Sequence, residues 1–270
     1  MTMNHARALK KLAADKLVKA IDEDVARLVA HTRARGGPEG AAQVLPPLLR
    51  RWNCVVQTED ALVPAHARQI ITLALAIVLH QYGLADPRLS EQARNAIDAL
   101  NAGVILSDDF CRQSEAIKHT FLDSAPAPLK RSPSRPDDTT FYRAGDVIAI
   151  RLDRHVYAAY VHHCAELNES PVVEFYDAVF ARPPTLAELN GLQARGETCN
   201  DGTTRAARFS VAGLKYLPDP AHQVTLVQGA VEQPPYSQHL ARPVGLYAMS
   251  DIFELQQVLE HLFPHTSGGQ

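Results

Sequence analysis

Residues 142–177 read YRAGDVIAIRLDRHVYAAYVHHCAELNESPVVEFYD, and this stretch decides the fold of the second half of the chain. Apolar side chains alternate with Ala149 and Arg151 in its first part, which is the period of a half-buried strand. The connections between the apolar runs are short, and short connections favour antiparallel neighbours. We therefore predict three consecutive antiparallel strands, over residues 147–152, 156–164 and 171–176.

Beyond this stretch the pattern stays mostly extended. We predict a helix over residues 182–194 and a polar loop over residues 196–204. Three short strands should follow, at residues 209–214, 224–227 and 245–249, and then a last helix capped by Ser250 or Asp251. The prediction for this part is a strongly curved antiparallel sheet or small barrel with one or two helices.

Before this stretch the sequence is helical. Apolar residues recur at spacings of three to five, which indicates amphipathic helices that pack as a bundle. The predicted helices cover residues 6–34, 41–56 with an interruption at Pro46 and Pro47, 64–81, 89–101 and 107–122. Proline fills four of the thirteen positions from 124 to 136, which favours an extended connector. The fold class is therefore α+β, with a helical domain at 1–123, a Pro-rich linker at 124–137 and a β-rich domain at 138–266.

The charge pattern excludes some classes of partner. The 270-residue chain has a formal net charge of −3, but residues 137–270 hold 9 basic and 16 acidic residues. An acidic domain repels nucleic acid and attracts basic proteins, so we expect a protein partner and no nucleic-acid binding.

Location and redox state follow from other simple features. The apolar run at residues 70–79 is too short to span a membrane, and residues 1–19 are too charged for a signal peptide. The four cysteines form no Cys-x-x-Cys motif, which favours buried thiols in a reducing compartment. We therefore expect a cytoplasmic protein without membrane contact.

No arrangement of catalytic or metal-binding residues stands out in the sequence. His162 and His163 are adjacent on a predicted strand, so their side chains should point to opposite faces and not toward one ion. There is no Gly-x-Ser-x-Gly motif and no Gly-rich phosphate loop. We expect no catalytic residue, no metal and no cofactor, and thus a protein that is not an enzyme.

Tyrosines and carboxylates cluster in the deciding stretch. Tyrosine contributes contact area at a low cost in side-chain entropy, so this combination is typical of a protein-recognition surface. A simpler interpretation is that Gly145 and Asp146 only form the turn before the first strand. The predicted contact residues are Asp146, Asp153, Tyr157, Glu174, Tyr176 and Asp177.

In order along the chain, Gly145-Asp146, the strand at 147–152, the Tyr-containing strand at 157–161 and Glu174-Phe175-Tyr176-Asp177 follow a known pattern. They resemble the immunity protein 26 family of bacterial polymorphic toxin systems. Clear similarity covers residues 142–177 and a weaker continuation reaches about residue 220. The chain departs from the family pattern at Arg151, where the family usually has proline, and in the turn at 153–155, which lacks glycine.

The resemblance implies a cytoplasmic protein that binds a cognate toxin, for example a nuclease, and covers its active site. Two other functions stay open from the residues alone. A hydrolase that reverses a toxin's covalent modification would need a deep pocket with a perturbed His, Asp or Glu. A helical adaptor would use the β-rich part only as a mount.

Overall fold

The computed structural model describes residues 3–34, 41–58, 63–243 and 245–264. The chain divides into two compact units, Met1–Pro136 and Asp137–Gln270. The first unit is helical and the second is built on a β-sheet. The predicted α+β class is confirmed.

The helical unit is arranged around one central helix. Its elements are α1 (His5–Lys10), α2 (Asp15–Ala34), α3 (Ala41–Val56), α4 (Ala65–Gln81), α5 (Pro87–Ala102) and α6 (Asp108–Ile117), followed by a π-helical turn (Lys118–Leu122). Helix α4 contacts α1, α2, α3 and α5. Its residues from Ile71 to Leu79 are all buried, because it is apolar on every side and its neighbours surround it.

Two details of these helices differ from the predictions. The predicted helix at 6–34 is broken after Lys10, and Ala13 has a left-handed φ of 51°. Leu12 is buried beside the break, so tertiary packing outweighs local helix propensity here. Helix α3 is continuous through Pro46 and Pro47, because its buried face continues on both sides of the prolines, at Val44, Leu48, Trp52 and Val55.

The predicted Pro-rich linker belongs to the helical unit. Arg33 Nη2 donates to the carbonyl of Leu129 at 3.0 Å. The backbone also passes Gly83 so closely that a Cβ there would lie 3.0 Å from the Ala127 oxygen. Residues 124–136 therefore lie along the helices, and the second unit begins at Asp137.

The described residues of the second unit form a six-stranded sheet in the order β7-β1-β2-β3-β6-β8. Neighbouring strands are antiparallel except β6 and β8, which are parallel. The sheet is open, so the barrel alternative and the purely antiparallel sheet were both wrong. The strands are β1 (Val147–Leu152), β2 (His155–Glu166), β3 (Glu169–Phe180), β6 (Arg208–Ala212), β7 (Val224–Gln228) and β8 (Ala248–Asp251).

The elements between β3 and β6 differ from the prediction. The predicted helix at 182–194 is reduced to α7 (Leu186–Leu189), whose first turn carries a Thr185–Glu188 capping box. It ends early because the chain turns away at Asn190, and Gly191 follows with a φ of 79°. The predicted loop at 196–204 contains instead a small hairpin of β4 (Gly196–Thr198) and β5 (Thr204–Ala206).

Both faces of the sheet are covered. On the side that we call the helix face, Tyr157 and Phe175 pack against Phe263, with ring centroids 4.9 and 6.3 Å apart, at the end of α8 (Glu254–Leu262). On the opposite side, the loop face, Tyr160 and Tyr176 join Leu189 of α7 in a second small core. Residues that alternate away from the helix face therefore do not automatically reach solvent.

Two further sequence predictions concern solvent exposure and membranes. None of the four cysteines forms a disulfide, as expected, but Cys111 is exposed and the other three are only half-buried. Among the described helices, none has the length and apolar character needed to cross a lipid bilayer.

Candidate functional site

The loop face carries an open groove of about 970 Å³. Tyr176 lies at its floor, residues 186–192 form one wall, and residues 228–238 form the other. The second wall is anchored to the sheet, because Tyr160 Oη donates to the Val231 carbonyl at 2.9 Å. The backbone N–H of Ala194 donates to the carbonyl of Tyr236 at 2.8 Å. The groove is therefore a built feature of the second unit.

Apolar and aromatic side chains are presented to solvent at the groove. Tyr236 is 50% exposed and Leu186 is 43% exposed. The Tyr236 ring stacks on His239 at 6.1 Å with an interplanar angle of 11°, which limits its rotational freedom. Amide side chains are spread along both walls, and Glu232 is the charged residue among the described residues that line the groove. The amides are Asn190, Gln228, Gln233 and Gln238.

The floor of the groove is a neutral tyrosine. Burial raises the pKa of Tyr176 to about 12, and the negative charges of Tyr160 and Glu174 act in the same direction. The hydroxyl therefore stays protonated at neutral pH and is available as a hydrogen-bond donor.

A polar cluster lies beside the groove on the same face. Glu174 is fully buried, and its Oε2 lies 2.7 Å from Nε2 of His162. Its Oε1 lies 3.5 Å from Nε of Arg208. A buried carboxylate needs such cationic and hydrogen-bonding neighbours because an isolated charge is costly to desolvate. Glu174 also fixes the orientation of the His162 ring, which is an arrangement found in general-base catalysis.

The two adjacent histidines do not follow the alternation predicted for them. A bulge interrupts the β2–β3 register between Val161 and His163, and a bulge re-aims the side chains beside it. Burial lowers the pKa of His163, and the nearby charges of His162 and Arg208 lower it further. Both rings therefore lie in the field of Arg208. In the part of the chain that the structure describes, no group of three or more His, Cys, Asp or Glu residues could hold a metal ion.

Several predicted contact residues are interior. Asp146 is buried, and its Oδ2 accepts from the backbone N–H of Arg143 at 2.8 Å, so it forms the turn before β1. Tyr157 is fully buried on the helix face, and Glu174 is fully buried in the polar cluster. These side chains are not part of the surface that a partner meets.

The other three predicted residues lie in different places. Asp153 is exposed in the β1–β2 turn, where its φ is 55°. Asp177 is exposed and forms an ion pair with Arg195 at 2.9 Å. Tyr176 is buried and is the predicted residue that lines the groove. The structure therefore does not gather the six residues into one surface.

Sequence reasoning missed the groove wall at residues 228–238. This wall has no regular secondary structure, so periodicity could not reveal it. The available signal was Pro234-Pro235 followed by Tyr236, because prolines hold a surface loop extended and can present an aromatic ring to solvent.

Comparisons with known proteins give no relative. No family model, no curated protein and no solved structure matches this chain.

Proposed function

We propose that this protein neutralises a protein toxin by binding it in a one-to-one complex, without catalysis and without a cofactor. The resemblance of residues 142–177 to immunity protein 26 suggests the partner class. The groove on the loop face supplies a surface that suits such a complex.

The observation that carries the proposal is the exposure of Tyr236 and Leu186 at a groove anchored to a sheet. Protein interfaces obtain most of their affinity from a few aromatic and apolar anchors that are pre-positioned in the unbound protein. Tyr236 is held by stacking on His239, so little side-chain entropy would be lost on binding. Amide groups along the walls can bond to the polar atoms of a partner's backbone.

Charge favours a basic partner. The second unit has seven more acidic than basic residues among positions 137–270, where 16 Asp and Glu stand against 9 Lys and Arg. Glu232 places one of these charges on the groove wall. Complementary charge increases the association rate and selects among partners, and a nuclease with a basic active site is one toxin that would fit.

Titration against the toxin encoded next to this gene tests the proposal. We expect complete inhibition at one equivalent, and we expect Tyr236→Ala to weaken binding about tenfold or more, the cost of removing an interface anchor. Leu167→Ala is the matched control, because Leu167 is 90% exposed on the β2–β3 turn and outside the groove. If both variants bind like the wild type, the groove is not the contact surface.

The His162–Glu174 pair supports a second candidate function, a hydrolase that removes a toxin's covalent modification. A histidine held by a buried carboxylate could accept a proton from water. The same titration separates the two functions, because an enzyme protects at far less than one equivalent. In that case His162→Gln abolishes protection and Tyr236→Ala changes it little.

A further inference from the structure

Strand β8 is an open edge of the sheet. It pairs with β6 on one side, with Ser210 opposite Met249. The N–H of Ile252 donates to the carbonyl of Ala212 at 2.9 Å. Successive residues of a parallel strand bond alternately to the two sides, so Ser250 and Ala248 bond toward β6. The backbone N–H and C=O groups of Tyr247 and Met249 point to the open side.

The side chains along this edge are apolar and uncovered. Leu246 is 81% exposed and Met249 is 70% exposed. Residues 246–250 read LYAMS and contain no charge and no proline, which are the devices that keep edge strands from pairing with other chains. The opposite edge strand, β7, exposes mainly the polar Thr225 and Gln228. Strand β8 is therefore the edge better suited to pairing.

The charges around β8 favour one kind of partner. Arg208 lies one residue before the first β6–β8 pair, and the ring of His163 is 6.2 Å from that of Tyr247. A basic protein would be repelled at this end. The other end of β8 leads into α8, which begins with Glu254. An antiparallel copy of the same strand would bring Arg208 of one chain toward Glu254 of the other.

We propose that β8 is the interface of a homodimer, in which the strands of two copies pair antiparallel about a two-fold axis. An edge strand is complementary to itself in this arrangement, and the same patch then serves both subunits. The two sheets become one continuous sheet, and Leu246 and Met249 are covered. The segment 246–250 spans only about 17 Å, so the dimer forms reversibly and depends on concentration.

Light scattering coupled to size-exclusion chromatography tests the proposal on the full chain. The expected mass rises with concentration from 29.6 kDa toward twice that value. Met249→Lys, which puts a charge on each side of the two-fold axis, should weaken dimerisation at least about tenfold. Met249→Leu should preserve the dimer. Leu167→Lys is the matched control, because it changes an equally exposed leucine away from β8.

Two results would overturn the homodimer. One is a monomeric mass at every concentration that stays soluble, and the other is a dimer that Met249→Lys leaves unchanged. If the lysine unfolds the chain in far-UV circular dichroism, Met249→Ser carries the same test. Loss of toxin binding by Met249→Lys in a chain that is monomeric throughout would assign β8 to the toxin, and the homodimer would be rejected. The result is independent of the groove, because Met249 does not line it.

Discussion

Glu174 shows what a single position in a strand can and cannot reveal. The alternation along β3 places Glu174 and Tyr176 on one side and Phe175 on the other, as the sequence predicts. The sequence could not show that a later segment, held through Val231, covers part of that side. Tyr157 fails as a contact residue for a related reason, because its side of the sheet receives Phe263. Alternation identifies the face of a residue, but coverage depends on distant parts of the chain.

The buried carboxylate leads to a prediction for stability. Arg208→Met removes one cationic neighbour of Glu174 and should lower the free energy of unfolding by about 1–3 kcal/mol, less than for a wholly buried pair because Arg208 is partly exposed. The double variant Glu174→Met with Arg208→Met should recover much of that loss, because neither charge is then left behind. Urea unfolding followed by far-UV circular dichroism measures each value.

A double-mutant cycle decides whether the two charges are coupled. Strict additivity of the two single changes would show that Glu174 does not depend on Arg208. Arg182→Met is the control, because the Arg182–Glu188 pair at 2.8 Å lies at the surface, and exposed ion pairs contribute little. We expect no measurable change in stability from the control.

At the scale of elements, α1 is attached to α4 by two histidines. Nε2 of His5 lies 2.9 Å from Nδ1 of His80, and Phe121 packs against both rings at 4.7 and 5.5 Å. Burial lowers the pKa of both imidazoles, and for His5 the charge of His80 lowers it further. The contact requires at least one neutral ring, since one nitrogen must accept the hydrogen bond.

This contact predicts acid sensitivity of the helical unit. Because the folded state lowers both pKa values, the unfolded state binds more protons as the pH falls below about 6.5, the ordinary histidine value. The stability is thus fully present above that pH and decreases through the acidic range below it. Fluorescence of Trp52, the single tryptophan of the chain, buried in α3, reports the melting temperature of this unit at pH 8 and pH 5.5.

Variants of the pair locate the effect. The double change His5→Phe and His80→Phe keeps aromatic packing on Phe121 and removes both titrating groups, so the drop in melting temperature between the two pH values should shrink. His66→Gln changes an exposed histidine on α4 and should leave the drop unchanged. An equal drop in the double variant would place the acid sensitivity elsewhere.

The helices also show which elements the sequence could predict. The start of α5 was predictable because Asp86 caps it through the N–H of Leu89 at 2.7 Å, and Ser107 does the same for α6. Such signals are local. The break at Ala13 and the short α7 were missed, because they depend on packing and on left-handed backbone at Ala13 and Gly191 that no local pattern announced. The same reason explains the missed groove wall.

At the scale of the whole molecule, the boundary between the two units lies at the end of the Pro-rich segment. Asp137 begins the second unit and forms an ion pair with Lys215 at 2.9 Å. Composition revealed that a boundary was near, since prolines end helices. Composition could not reveal that residues 124–136 pack on the helices, because that depends on Gly83 and Arg33, which are far away in sequence.

Native-state trypsin digestion tests whether this segment is packed. Its basic residues Lys130 and Arg131 are cleavage sites, and the enzyme needs the segment to open. Gly83→Ala adds a Cβ 3.0 Å from the Ala127 oxygen at a position whose φ is 75°. If this lowers the free energy of local opening by about 1–2 kcal/mol, cleavage should be about 5–30 times faster. Gly191→Ala introduces a similar backbone strain with no atom within 4 Å, and it should leave the rate at Lys130 unchanged. Equal rates in Gly83→Ala and the wild type would restore the free linker that composition alone predicts.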